Sequence, residues 1–496
     1  MRSFRTQFSQ LRVRWKPSFG LKAVLTFLLF LCGGLVDVGI FSAADESGTA
    51  AQVTSFQPVA TLYQKSTHAG QSSSSDDKAA RDWYNSGVRL MQQNKIQEAI
   101  ESFEAALLFK PDWAEAHHAV ALLSLRRDDR KRAKAEFQKV IQLDPAFLDA
   151  YNNLGALLAK DGNLQDATTH FLNVLGRDAA HIQARVNLAL VLGEQRDFEG
   201  AISLLRDGIR LDPGRADLHV LLGEQMNESE KFNEALDSFR KALEMNPRIA
   251  GAHRGIGTAL LAQGRSAAAA AEFRAELSND PQDGRAWYWL GKISGQAGKD
   301  AEAAECFKQA LARSPGDALA QVEIGQSYQR LQRLPEAERS FRAALRINPD
   351  LTEALYGLAN LLRARGEAEE AKSHLDRVQR FRQADSEAGR SPSLNTQGLE
   401  LLEQGRPAEA VSKFREALAA NPKFAAAAHN LGLSLARVGK TEEAIEAFRN
   451  ATRLQPTFAA AHEGLGQLLK QMGDPTADEE LQKAKILKQV LPQPQP

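Results

Sequence analysis

Residues 284–317 read GRAWYWLGKISGQAGKDAEAAECFKQALARSPGD, and this 34-residue stretch decides the fold. Apolar residues recur at helical spacing in two runs, near its positions 2–14 and 18–31. Gly298, at position 15 between the runs, suits the left-handed residue that closes a helix. Pro315, at position 32, stops the second helix. Gly291 at position 8 and Ala303 at position 20 are small, so two backbones can approach closely. Phe307 at position 24 is large enough to fill the space between this unit and its neighbour.

Stepping outward by 34 residues repeats the pattern. Position 8 is Gly or Ala from Gly87 through Ala359, and position 20 is Ala from Ala99 through Ala371. Position 24 is Phe except at Leu205 and Leu375. Position 32 is Pro except at Ala179 and Gln383. Nine units run from residue 80 to 385. Five residues, 386–390, are inserted, and the pattern resumes at 391 with Gly398, Ala410, Phe414 and Pro422. Two further units begin at Ala425 and Ala459, the last of them degenerate. The polar stretch from Asp478 to Val490 reads as a capping helix, and 491–496 as a tail. The loss of Pro at Gln383 predicts a long second helix in unit nine. The insertion reads either as a hinge or as a tolerated loop.

These residues carry a resemblance to the tetratricopeptide repeat, whose units have an aromatic at position 4, Gly or Ala at 8, Ala at 20, an aromatic at 24 and Pro at 32. Trp83 and Trp287 take position 4 here. The resemblance implies an all-α, right-handed superhelical solenoid of about twelve helix–turn–helix units. It also implies a protein that binds partner proteins or extended peptides along a concave groove. Positions 2, 5, 6, 9, 12 and 13 of the first helices would line that groove.

Several function classes are excluded by composition. The chain has 496 residues and equal numbers of basic and acidic side chains, so it carries no overall attraction for nucleic acid. Its two cysteines, Cys32 and Cys306, are too few for a disulfide framework or a Cys-based zinc site. Metal and cofactor sites are not expected. His117, His219, His253 and His462 all fall at position 4, and residues recurring at one phase of a repeat read as scaffold. No His-Glu-x-x-His, phosphate-binding Gly-rich loop or Gly-x-Ser-x-Gly elbow occurs. Cys306 reads as a packing residue. The chain is therefore expected not to be an enzyme.

The first 44 residues read as an address. Arg2, Arg5, Arg12, Arg14, Lys16 and Lys22 precede fourteen uncharged residues, Ala23–Val36, and then the small residues of Ser42-Ala43-Ala44. A secretory signal cleaved near Ala44 would export the body to the periplasm or beyond. An uncleaved anchor over 21–44, or an organellar transit peptide, is the alternative. Membrane contact is expected only through 21–44. Residues 45–79, rich in Ser, Ala and Gln, read as a flexible spacer.

Candidate contact residues come from the groove positions. Asn85, Asn153, Asn187 and Asn430 share position 6, and an amide can hold a peptide backbone by donating and accepting at once. The protein O-GlcNAc transferase has such an asparagine ladder in its repeat arm. This ladder is sparser, and no catalytic domain follows it. Asp217, Glu224 and Glu228 form an acidic stretch. Arg254, Arg285, Tyr288, Trp289 and Lys292 form an aromatic and basic one, of the residue types that dominate binding energy. The carboxylate clamp of repeat co-chaperones, with Lys at 5 and Asn at 6 and 9 on successive units, is not supplied by any three consecutive units. The rival partners are components of a cell-envelope machine, such as one for polysaccharide export or secretion.

Overall fold

A computed structural model describes residues 74–491. The address at 1–44, residues 45–73 of the spacer and residues 492–496 of the tail lie outside the described residues. Every regular element among the described residues is an α-helix, and the helices come in pairs. No helix among them is long and apolar enough to cross a membrane. Contacts divide the chain into two compact blocks, one ending at Asn187 and the other beginning at Leu188. Each block is an all-α solenoid of stacked helix pairs.

The first pair, Ser74–Gln92 and Ile96–Phe109, begins six residues ahead of the expected unit start. Residues 74–79, read above as spacer, are thus helical, with Asp76 and Asp77 in the first turn where the helix dipole favours negative charge. Further along, first helices mostly span 13 residues and second helices 14, as in Gly284–Gln296 and Asp300–Arg313. Ala368–Ala388, in unit nine, is the long exception at 21 residues. With Gln383 in place of Pro nothing stops it, and it absorbs the first three inserted residues. Ala477–Val490 is the second helix of the last unit rather than an added cap. There Leu481 presses on Gly466, as Phe does elsewhere.

The turn within each unit is more regular than its sequence. Position 15 has positive φ in all twelve units. Seven are Gly and one is Asn94, but Asp128, Arg196, Glu230 and Gln332 adopt the same left-handed conformation. The next N–H donates five residues back, as from Lys95 to Leu90 O at 2.9 Å and from Arg333 to Tyr328 O at 2.8 Å. This hydrogen bond satisfies carbonyls that a helix end leaves open. The backbone closure therefore offsets the roughly 1 kcal/mol that a non-glycine residue loses there.

The core of each block holds a series of buried rings. Phe103, Phe137 and Phe171 in the first block, and Phe239, Phe273, Phe307, Phe341, Phe414 and Phe448 in the second, are at most 1% exposed. Each position-8 glycine except Gly466 lies under its own unit's ring. A β-carbon on Gly223 would stand 2.7 Å from Phe239. In units six, nine and twelve, position 6 is also glycine and meets the ring of the preceding unit. A β-carbon on Gly255 would fall 2.1 Å from Phe239. The ring is thus clamped between two backbones.

Candidate functional site

Three of the four position-6 asparagines bond to the neighbouring unit. Asn187 is buried and donates to Asn152 Oδ1 at 2.9 Å. Asn430 is buried and donates to Asn395 Oδ1 at 3.1 Å. The Asn153 amide lies 3.2 Å from His118 Nε2. In all three cases position 5 of one unit meets position 6 of the next. A buried amide must find partners, and these find them in the preceding unit. Asn85, in the first unit, is exposed. The structure does not bring the four together as an open ladder. Three of them are rungs between units instead.

The acidic and basic stretches are likewise one network. Arg254, on Ala252–Ala262, donates to Glu224 at 2.8 Å and to Asp283 at 2.5 Å. Its side chain is 17% exposed. Burial works against its charge, but Asp283 and Glu224 together more than offset this, so its pKa lies above the ordinary arginine value. Asp283 also accepts from the Arg285 and Ala286 N–H groups, capping Gly284–Gln296. Glu276, fully buried, accepts from the N–H groups of Gly251 and Arg254 at 2.5 and 3.1 Å. Burial holds its carboxyl above the ordinary value, while those two donors pull the other way. Gly251 takes φ +86°, which lets the chain turn sharply into the helix that follows.

Arg285 is half-buried, and burial first, then Arg254, lowers its pKa. Lys292 donates to Glu323 at 2.7 Å. Asp217 is held by Arg215 at 2.6 Å, and Glu228 is exposed. Trp289 stacks on Phe273, with centroids 6.4 Å apart and planes at 10°. Tyr288 meets Trp289 and Phe307 edge-on, at 5.6 and 5.5 Å. Burial raises the Tyr288 pKa, with help from Glu323, Asp317 and Glu353. The basic stretch is therefore largely matched by carboxylates of its own chain, and its two aromatics are half-buried.

Sequence reasoning missed three participants. Glu276 sits at position 27, where every other unit through Ala451 has Ala, Val or Gly. That lone carboxylate was the available signal. Glu323 sits at position 6, a groove position. Tyr356, at position 5 of unit nine, is 49% exposed, more than any other aromatic among the described residues. Among the described residues no group of three His, Cys, Asp or Glu side chains is placed to hold a metal.

Stacked helix pairs closed by left-handed turns and joined through clamped rings define a helical-repeat protein of the interaction type. Tetratricopeptide-repeat models match residues 80–112, 136–169, 395–437 and 438–473. The model of the cilia and flagella-associated protein 70 C-terminal domain matches residues 179–397. The chain belongs to the tetratricopeptide-repeat family. No curated protein sequence matches it significantly.

Solved structures similar to it include a tetratricopeptide repeat protein from Parabacteroides merdae, 18% identical, covering 50% of this chain and 98% of that one, with a TM-score of 0.43. Another is pilF of Pseudomonas aeruginosa, 16% identical over 45% and 99% of the two chains, with a TM-score of 0.39. MamA of Desulfovibrio magneticus is 22% identical over 34% and 96%, with a TM-score of 0.32. Repeats of this family bind proteins or peptides, so the chain is in general a protein-interaction scaffold.

Proposed function

We propose that the chain is a non-enzymatic scaffold that holds an extended stretch of a partner protein against the first helices of units seven to nine. Tyr356 carries this reading. It is a large aromatic side chain left half in water, on the helix Thr352–Ala364, at a groove position. Tyr288 occupies the same position two units earlier, and the Lys292–Glu323 pair joins the first helices of units seven and eight. Aromatic anchors rimmed by paired charges suit a partner that brings apolar side chains and backbone hydrogen bonds. The paired state of Lys292 argues against a partner recognised through strong net charge.

A photo-cross-linkable residue at 356 should capture a partner in cells, whereas one at Glu446, exposed on the second helix Thr441–Leu454, should not. Tyr356→Ala should weaken binding of the captured protein by about 1–2 kcal/mol in a direct titration. Equal capture at both positions, or unchanged affinity, would remove this reading.

We further propose that the body acts outside the cytoplasm, exported or anchored through residues 1–44. The cations from Arg2 to Lys22 ahead of the uncharged Ala23–Val36 support this. Fractionation with protease protection tests it, and a body found with cytosolic markers would sink it.

A further inference from the structure

Position 4 holds histidine in four units, and the surroundings of those rings differ in a way that bears on protonation. In unit two, His117 Nδ1 lies 2.6 Å from Glu136 Oε2, and Nε2 lies 3.0 Å from the Pro111 carbonyl. In unit twelve, His462 Nδ1 lies 2.5 Å from Glu480 Oε2, and Nε2 lies 2.9 Å from the Pro456 carbonyl. In unit six, His253 Nδ1 meets Glu272 at 2.7 Å. A carbonyl has no proton to give, and neither has a carboxylate. Both nitrogens of His117 must therefore donate, and only the imidazolium has two N–H groups. A neutral ring would turn a lone pair against one of the two oxygens.

Unit five supplies an internal contrast. His219 stands at the same position, but Ser238 replaces the acid at position 23. Its Nδ1 is buried without a partner. Burial first, and then Lys241, lower the His219 pKa. For His117 the bond to Glu136 is the largest influence and raises the pKa. Burial opposes it, and the Pro111 carbonyl adds to it.

We propose that His117 is a protonation latch. As an imidazolium, it ties the first helix of unit two to the second helix and to the turn before it; release of one proton to solvent opens the tie. The charged groups acting on His117 are Glu136 and Lys139, both on Arg130–Leu143. The preceding turn offers the Pro111 carbonyl, and its Lys110 stands 5.3 Å over the Trp113 ring. His462 faces Glu480, which is itself held by Lys483 at 2.9 Å. Lys483 also reaches Glu479, and all three lie on Ala477–Val490. In unit two the first helix is thus pinned on two sides by one doubly protonated ring, that of His117.

For His117 the direction follows from linkage. Its folded-state pKa is raised, so the latch contributes fully below the ordinary histidine value of about 6.5 and is lost as pH rises through the raised value. Hydrogen exchange on the full-length protein, corrected for intrinsic exchange rates, reads this directly at about pH 6 and about pH 9. Protection in 114–143 should fall by about tenfold or more between them. Protection in 216–245, which holds His219, should not fall. Glu136→Gln should abolish the pH dependence in 114–143. His117→Gln should do the same, should the first variant fold poorly. Protection in 114–143 that ignores pH, or variants that keep the wild-type dependence, would overturn the proposal.

Discussion

Replacing Arg254 with methionine should destabilise the second block by about 3 kcal/mol, although methionine matches much of the lost volume. The side chain is largely buried, and its two carboxylate partners, Glu224 and Asp283, are 22% and 6% exposed. Removing the cation strands both acids, beside a third, Glu276, that is fully buried. Buried charge without a partner is costly, and that cost exceeds anything the pair contributes by attraction. Two readouts separate this from a simple packing loss. Adding Glu224→Gln to Arg254→Met should recover part of the stability, because one stranded charge is gone. Salt should change the wild-type value little, since buried pairs are poorly screened. Chemical denaturation followed by helical signal measures both. A loss no larger than that of Arg210→Met, an arginine 78% exposed, would contradict the account.

Phe239→Ala should cost about 3–5 kcal/mol, the range for emptying an aromatic site that cannot collapse. Phe239 is 0% exposed and is gripped by Gly223 from its own unit and by Gly255 from the next. Neither glycine has a side chain that could move into the gap. The converse change is also informative. Gly255→Val would put a β-carbon 2.1 Å from the ring and should cost about 1–3 kcal/mol or more through overpacking. Combined, the two substitutions should cost clearly less than their sum, because valine then occupies space the ring has left. Strict additivity in the double-mutant cycle would show that ring and glycine do not share one site.

Much of this fold is legible in the 34-residue period, and the reason is local. Gly291, Ala303, Phe307 and Pro315 each answer a demand made within one unit or by its immediate neighbour. What the period hides is conformation set by the backbone. Asp128, Arg196, Glu230 and Gln332 give no turn signal, yet each takes the left-handed conformation, because the N–H that follows closes the helix in every unit. The contact residues were less legible. Asn153, Asn187 and Asn430 look free along the sequence because their partners, His118, Asn152 and Asn395, lie 35 residues back, one step beyond the period. Arg254 and Glu224 read as opposite patches because a linear scan does not show that they bond each other. Glu276 breaks the apolar run at position 27, which marks the network, but its role needs the geometry of Gly251.

The clamped rings also act as a mating grammar for the array. Phe239, Phe341 and Phe448 each demand a neighbour with no side chain at position 6, and Gly255, Gly357 and Gly464 meet that demand. Phe273 meets the indole of Trp289 instead, flat against it. Splicing out unit six would thrust that indole onto Phe239, which has no room for it. Near-identical repeats risk pairing out of order while they fold. Here the three glycine joints differ from the Phe273–Trp289 joint, so part of the order of the units is written into their edges as well as into the chain.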